Sequence, residues 1–479
     1  MGKADELDYL VLFDAIDKQK KYDEERLSKD LKGHKILKNI SAAKNRLFEV
    51  IMRSLSEYHF DKSVDSQLNN LLSYSRILQG KGLHRQAGKY LKKASELATR
   101  HEKFTRMLEI VEQQKLMTLD MRLGGIDEGL SPLAAHEHKT VNRMLNKGAY
   151  MQAFFDTQKL YKNEKYLRSP EKVKLFIKIL DRTIFKKEDE ALSTYSKNIF
   201  YELHALHFWN ISEPVEAYKL KKRQLQLWLS DPEMAAEQAK TYINLLSDFL
   251  YISYHAGQLQ ELTTYIKVLR ETETNDLELQ QKIFVESSIF SLIYHQQHGD
   301  YETCLNILKQ VKTELPNYEE TLNVEDKNRI YISSSIIAFG GEDYSQALWW
   351  INKILNMHDL EMREDIHCFA RIFNLFIHFE LDDGRLLEYI IQSTYRFLSK
   401  RKKLFMLEKA VIKFLKKMIN ADDRYDLAIL FASLREEFIK INEDAYEKKF
   451  FKVFDFITWL DAKLSGRKYR ELVKEKAIV

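Results

Sequence analysis

Apolar residues recur three and four positions apart through nearly the whole chain, and that period narrows the fold to one class. In Leu71-Leu72-Ser73-Tyr74-Ser75-Arg76-Ile77-Leu78 and in Tyr90-Leu91-Lys92-Lys93-Ala94-Ser95-Glu96-Leu97 they line one face of a helix. Stretches 172–180, 242–254, 284–294 and 369–379 read the same way. The turn formers agree. The 479 residues include only 15 Gly and 5 Pro, roughly a third of the usual share, too few for a β-sandwich or a βαβ array. Four of the prolines, Pro132, Pro170, Pro214 and Pro232, stand where a helix would start, a position at which the missing N–H costs nothing. Ser131, Ser169 and Asp231 are placed to cap those first turns. The expectation is an all-α fold without strands.

A hydrophobic share of 45% is enough to bury a core. Lys and Arg number 75 against 71 Asp and Glu, a net charge of +4 with both signs interspersed, which steers little towards nucleic acid. Two cysteines, Cys304 and Cys368, make no disulfide framework and suit a reducing compartment. The opening residues carry no apolar secretory core. Glu6 stands where a myristoylation motif needs Ser or Thr. No run approaches 18 uncharged apolar residues. These features predict a cytoplasmic protein without a membrane partner.

One short pattern returns along the chain: a turn residue, a spacer, usually an apolar residue, two spacers, then a small or apolar residue. Its copies are Gly82 to Ala87, Gly148 to Ala153, Ser212 to Ala217, Gly257 to Leu262, Gly299 to Cys304 and Glu342 to Ala347, with a degraded one at Asp383 to Leu387. Two antiparallel helices approach closely where a small side chain sits at their crossing, and a residue tolerant of positive φ joins them.

On these residues the chain resembles the tetratricopeptide repeat family and, as a whole, uncharacterised bacterial proteins of that type. The resemblance implies a right-handed superhelical α-solenoid of antiparallel helix hairpins. The markers are 66, 64, 45, 42, 43 and 40 residues apart, whereas the family repeats every 34, so the later helices are longer than its standard. The organisation expected is a helical cap over 1–64, a first repeat segment over 65–122, a Gly-rich joint over 123–132, a solenoid over 133–398 and a basic helical cap over 399–479. Terminal caps cover the open ends of such an array.

No catalytic constellation is found. His204 and His207, and His295 and His298, share helix faces but lack the zinc-protease spacing, and no Cys-x-x-Cys exists. No metal ligand set and no cofactor are expected. Cys304 falls on the small-residue position of its repeat, which makes it a packing residue. Gly124, Gly125 and Gly129 lack the strand and the Lys-Ser/Thr of a phosphate loop. Glu188-Asp189-Glu190 and Glu364-Asp365 read as solvated runs.

A non-enzymatic scaffold that binds a protein or peptide on its concave face is therefore the expected function. The resemblance places first helices on that face: Asn69 and Arg76, then Glu202, Trp209 and Asn210, then Asn244, Ser247, Tyr251, Tyr254 and His255. Two alternatives stand beside it. One is a regulator resembling bacterial solenoid sensors of short signalling peptides. The other is an RNA-binding helical repeat using Lys400, Arg401, Lys402, Lys403, Lys409, Lys413, Lys416 and Lys417, of which Lys409, Lys413 and Lys416 line one helix face.

Overall fold

In the computed structural model the described residues are 3–19, 22–60, 63–120, 126–161, 170–357, 364–382, 384–419, 424–444, 451 and 453–478. Among them there are α-helices and short 3-10 turns but no strand. The chain divides into two units, Met1–Leu203 and His204–Val479.

The first unit holds α1 (Lys3–Asp17), α2 (Glu24–Asp30), α3 (Ile40–Phe60), α4 (Val64–Gly80), α5 (His84–Arg100), α6 (Phe104–Asp120), α7 (Ile126–Tyr161) and α8 (Pro170–Leu180); α9 (Thr194–Asn210) crosses into the second. α1 to α3 enclose Leu12, Leu27, Leu31, Ala43 and Leu47. From α4 to α7 each helix packs on the next. In α5, Ala87, Leu91, Ala94 and Ala98 recur at four, three and four, so one stripe is fully buried, its last three members in one cluster with Leu68 and Leu72 of α4 and Met107 and Ile110 of α6.

The second unit continues with α10 (Pro214–Leu229), α11 (Pro232–Glu237), α12 (Ala239–His255), α13 (Leu262–Arg270), α14 (Leu277–Gln297), α15 (Tyr301–Glu314), α16 (Val324–Gly340), α17 (Tyr344–Leu355), α18 (Glu364–Glu380), α19 (Gly384–Lys400), α20 (Met406–Ile419), α21 (Arg424–Asn442), α22 (Phe456–Ser465) and α23 (Tyr469–Ile478). Here α12, α14 and α16 each touch the next helix and the next but one. A helix packed on two sides has no polar face, which is why α16 and α18 are buried along most of their length.

The joints share one construction. Residues Gly82, Glu102, Ser212, Gly257, Gly299, Glu342, Asp382 and Lys402 all have φ between 50° and 71°. Each N–H of these residues bonds the carbonyl three back, as in Gly257 to Tyr254 and Glu342 to Phe339. In seven of them the next N–H bonds five back, as in Gln258 to Ser253 and Lys403 to Leu398. This is the paired closure of a Schellman cap, which satisfies carbonyls that the helix end leaves open. Five residues after each turn residue comes a buried side chain: Ala87, Met107, Ala217, Leu262, Cys304, Ala347, Leu387 and Leu407. Twelve residues before it in three hairpins lies its contact across the crossing. Ser75 Oγ donates to the Ala87 carbonyl at 3.3 Å and Ser335 Oγ to that of Ala347 at 2.8 Å, while Cys304 Sγ lies 3.7 Å from the Leu292 carbonyl.

Gly148 is the exception among the expected copies. It lies inside α7, which runs unbroken for 36 residues. A single glycine costs a helix about 1 kcal/mol and does not end it. The partners expected of a hairpin are absent there: Tyr150 and Ala153 are fully buried, but Tyr150 donates its hydroxyl to the Ile184 carbonyl and its ring meets Phe185 at 4.8 Å. Pro170, Pro214 and Pro232 open helices as expected, and Asp231 caps the Met234 N–H at 3.0 Å. Ser131 and Pro132 instead lie within α7, where the ring gives up one bond near the helix start. Ser169 and residues 123–125 lie outside the described residues, while 126–132 of the expected joint are helical. Among the described residues no helix is long and apolar enough to cross a membrane.

Candidate aromatic peptide face

Counting back from each turn residue gives a common register for the helix that precedes it. Three residues back stand Trp209 in α9, Tyr254 in α12, Phe339 in α16 and Phe379 in α18. Two back stand Asn210, His255, Gly340 and Glu380, and six back Arg76, Tyr251, Ile336 and Phe376. Of the residues expected to line a binding face, Arg76, Trp209, Asn210, Tyr251, Tyr254 and His255 occupy these positions, Glu202 and Ser247 stand ten back, and Asn69 and Asn244 thirteen back.

In α9 and α12 they form one cluster. The Trp209 ring lies 5.5 Å from Tyr251 and 5.3 Å from His255, and His255 lies 4.5 Å from Tyr251 and 5.2 Å from Tyr254. The edge-on contacts are those that ring quadrupoles favour. Tyr251 keeps 41% of its surface exposed and His255 is exposed, while Trp209 and Tyr254 are half-buried. Burial lifts the Tyr254 hydroxyl above the usual phenol range, against a lowering hydrogen bond with Gln297. Asn244 accepts from Lys282 Nζ at 2.6 Å. Ser247 is buried and donates to the Ile243 carbonyl of its own helix at 2.9 Å, so it presents nothing outward. Asn210 and Glu202 are half-buried.

Asn69 and Arg76 belong to the first unit. Asn69 is exposed. Arg76 is engaged: its guanidinium lies 2.5 Å from Glu109 on α6, and Arg106 holds the same carboxylate at 3.0 Å.

In α16 and α18 the same register is filled by the chain itself. Phe454 lies 5.3 Å from Phe339 and 5.2 Å from Phe373. Trp459 of α22 meets Phe376 at 5.0 Å and Phe379 at 5.8 Å, and Phe456 meets Phe376 at 5.0 Å. Trp459 Nε1 donates to one oxygen of Glu380 at 2.6 Å and Lys463 Nζ to the other at 2.6 Å. Further along, Lys468 reaches Glu342 at 3.1 Å, the Tyr469 ring lies 6.2 Å from Tyr301, and Lys474 sits against Gly299. Three successive hairpin ends therefore receive residues 454–474. The apolar positions of α22 that are needed here are spoken for by core burial, and sequence periodicity alone does not show which face they meet.

The basic residues expected to act together are arranged as follows. Lys400, Lys402, Lys409, Lys413, Lys416 and Lys417 are exposed; Arg401 and Lys403 are half-buried. Arg401 stacks 3.9 Å from the Phe397 ring centroid, and Arg371 stands 4.0 Å from it. Burial, then the positive charge of Arg371 and Arg401, depresses the His367 pKa below its usual value.

Other polar groups are structural. Cys304 is fully buried, and burial, with Asp300 nearby, pushes its thiol up to about 12. His295 Nδ1 lies 3.1 Å from Asp300 and His298 Nδ1 lies 2.7 Å from the Tyr294 carbonyl, both at one helix end. Glu188, read as solvated, accepts the Tyr201 hydroxyl. Among the described residues no group of three His, Cys, Asp or Glu is arranged to hold a metal ion. An open cavity of about 540 Å³ on α16 and α17 went unseen in the sequence; it is lined by Glu319, Lys327, Tyr331, Trp349, Asn352 and Lys353. Its residues come from two helices and a loop, and no local pattern joins them. No family model matches the chain, and no curated protein or solved structure is significantly similar to it.

Proposed function

We propose that the chain is a non-enzymatic cytoplasmic scaffold, a tetratricopeptide-like right-handed solenoid that binds a protein or peptide segment on the face defined by the turn register. The observation that carries this reading is intramolecular. In α16 and α18 that register holds an aromatic segment, residues 454–463, through ring contacts and a shared carboxylate. In α9 and α12 the same positions hold Trp209, Tyr251, Tyr254 and His255, with Tyr251 and His255 exposed. Aromatic side chains give large contact area at low entropy cost, which suits a peptide-binding face.

Selection of a displayed random peptide library on the full chain tests it. Wild type enriches a defined set of aromatic-bearing peptides, and a Tyr251→Ala/His255→Ala variant with unchanged helicity by circular dichroism loses them. Equal enrichment on both proteins, or none on either, removes this face from the function.

A further inference from the structure

A second surface stands apart from the aromatic face and is made by the outer sides of α19 and α20. In α20, Leu407, Ala410, Val411, Phe414 and Leu415 enter the core, which leaves Lys409, Lys413, Lys416 and Lys417 on the exposed side, on successive turns. In α19, Leu387, Ile391 and Leu398 are buried and Arg396 and Lys400 point outward, with Lys402 in the turn between the helices. Arg396, Lys400, Lys402, Lys409, Lys413 and Lys417 enter no ion pair among the described residues. The two helices carry two acids. Glu408 is buried and accepts the Phe405 N–H at 3.1 Å, so only Glu388 stands outside.

Exposed rings are interleaved with these cations. Tyr389 keeps 71% of its surface exposed, Phe405 50% and Tyr395 45%. Lys416 Nζ lies 5.2 Å from the Tyr395 ring centroid, which joins the outer sides of α19 and α20 into one surface. Uncompensated cations call for an anionic partner. An acidic peptide would use the lysines and leave three large rings in water. A lipid surface would need an unbroken apolar stripe, whereas Leu386, Tyr389, Tyr395, Phe405 and Met406 are separated by exposed Glu388, Arg396, Lys400 and Lys402. A single strand uses both groups: its phosphates meet the ammonium groups and its bases stack on the rings, without dependence on sequence. We infer that the α19–α20 surface binds single-stranded nucleic acid. This goes beyond the peptide reading and does not depend on it.

Fluorescence anisotropy of labelled U12 and dT12 with the full chain, at 50, 100 and 200 mM KCl, tests the inference, and the two probes separate RNA from DNA. The expected result is saturable binding that weakens with salt, at a slope of about −0.7 per phosphate contacted. Lys409→Glu/Lys413→Glu weakens binding at least tenfold and flattens the slope. Tyr389→Ala/Tyr395→Ala weakens it on the order of five- to thirtyfold with the slope unchanged. The four substituted positions are exposed, and circular dichroism confirms that each variant is folded. Tyr251→Ala/His255→Ala binds as wild type does, which keeps this test separate from the peptide face. No binding at 50 mM KCl overturns the inference. So does wild-type affinity in the tyrosine variant together with equal competition by polyglutamate or by phosphatidylserine vesicles, which marks a general polyanion surface.

Discussion

A residue held at positive φ is the smallest unit from which this molecule is assembled. Glycine takes that conformation without a Cβ penalty, whereas other residues lose about 1 kcal/mol. Gly257 and Gly299 have nearly equal φ, 70° and 66°, but different surroundings. A Cβ on Gly257 would meet nothing within 4 Å; on Gly299 it would stand 2.7 Å from the Lys474 Cα. Gly257→Ala should therefore cost about 1 kcal/mol and Gly299→Ala on the order of 3 kcal/mol, measured by urea unfolding. Equal losses would show that Lys474 does not pack there. Ser212, exposed at φ 63°, should gain roughly 0.5 kcal/mol on replacement by Gly. Glycine made the turns at 82, 257 and 299 legible in the sequence. Glu102 and Lys402 make the same turn through backbone bonds alone, and their identity announces nothing. Gly148 shows the converse, a glycine with the right neighbours inside a helix.

At the scale of elements, helix existence followed from the 3.6 period, because each helix buries a continuous stripe and the stripe is local information. Partner choice did not. α22 joins α18 through Glu380, whose side chain is 6% exposed and accepts from both Trp459 and Lys463 across about eighty residues of sequence. Glu380→Ala leaves the indole N–H buried without an acceptor and should cost about 2 kcal/mol, less than a fully buried pair because Lys463 can reach water. Unfolding followed by tryptophan fluorescence reads it, and a loss below roughly 0.5 kcal/mol would mean that the carboxylate contributes little to docking α22. A second polar tie fixes the loop after α15. Partial burial opposes ionisation of Glu319, but hydrogen bonds from Lys353 at 2.5 Å and Tyr331 at 2.6 Å, with Lys327 nearby, outweigh it and hold the carboxyl below its ordinary 4.5. A depressed carboxylate stabilises the fold at pH values above its unfolded value and loses that contribution as pH falls through the folded one. The stability gap between wild type and Glu319→Gln should thus stay level from pH 7 to about pH 5.5 and narrow below 4.5. A gap that widened on acidification would reverse the assigned direction.

Across the second unit, most packing joins helices adjacent in sequence, and an array of that kind unfolds piecewise because each repeat depends on its neighbours alone. Residues 454–474 change this. They link Gly299, Glu342 and Glu380, the ends of three successive hairpins, to one segment near the end of the chain. Phe454, Phe456, Trp459 and Tyr469 are each at least nine-tenths buried. At about 1.5–3 kcal/mol per large side chain their burial is worth on the order of 6–12 kcal/mol, an upper figure since an unfolded chain already hides some apolar surface. Local contacts then share one long-range fastening, and α14 to α18 should unfold with it in a single step. A chain ending after residue 450 should stay helical by circular dichroism, bind an apolar dye at the uncovered Phe339, Phe373 and Phe376, and unfold earlier over a broader urea range. Glu380→Ala should fall between it and wild type, with a lowered midpoint and an unchanged slope. An unaltered midpoint and slope in the shortened chain would mean that the hairpins cohere through neighbour contacts alone and that residues 454–474 occupy their face without fastening it.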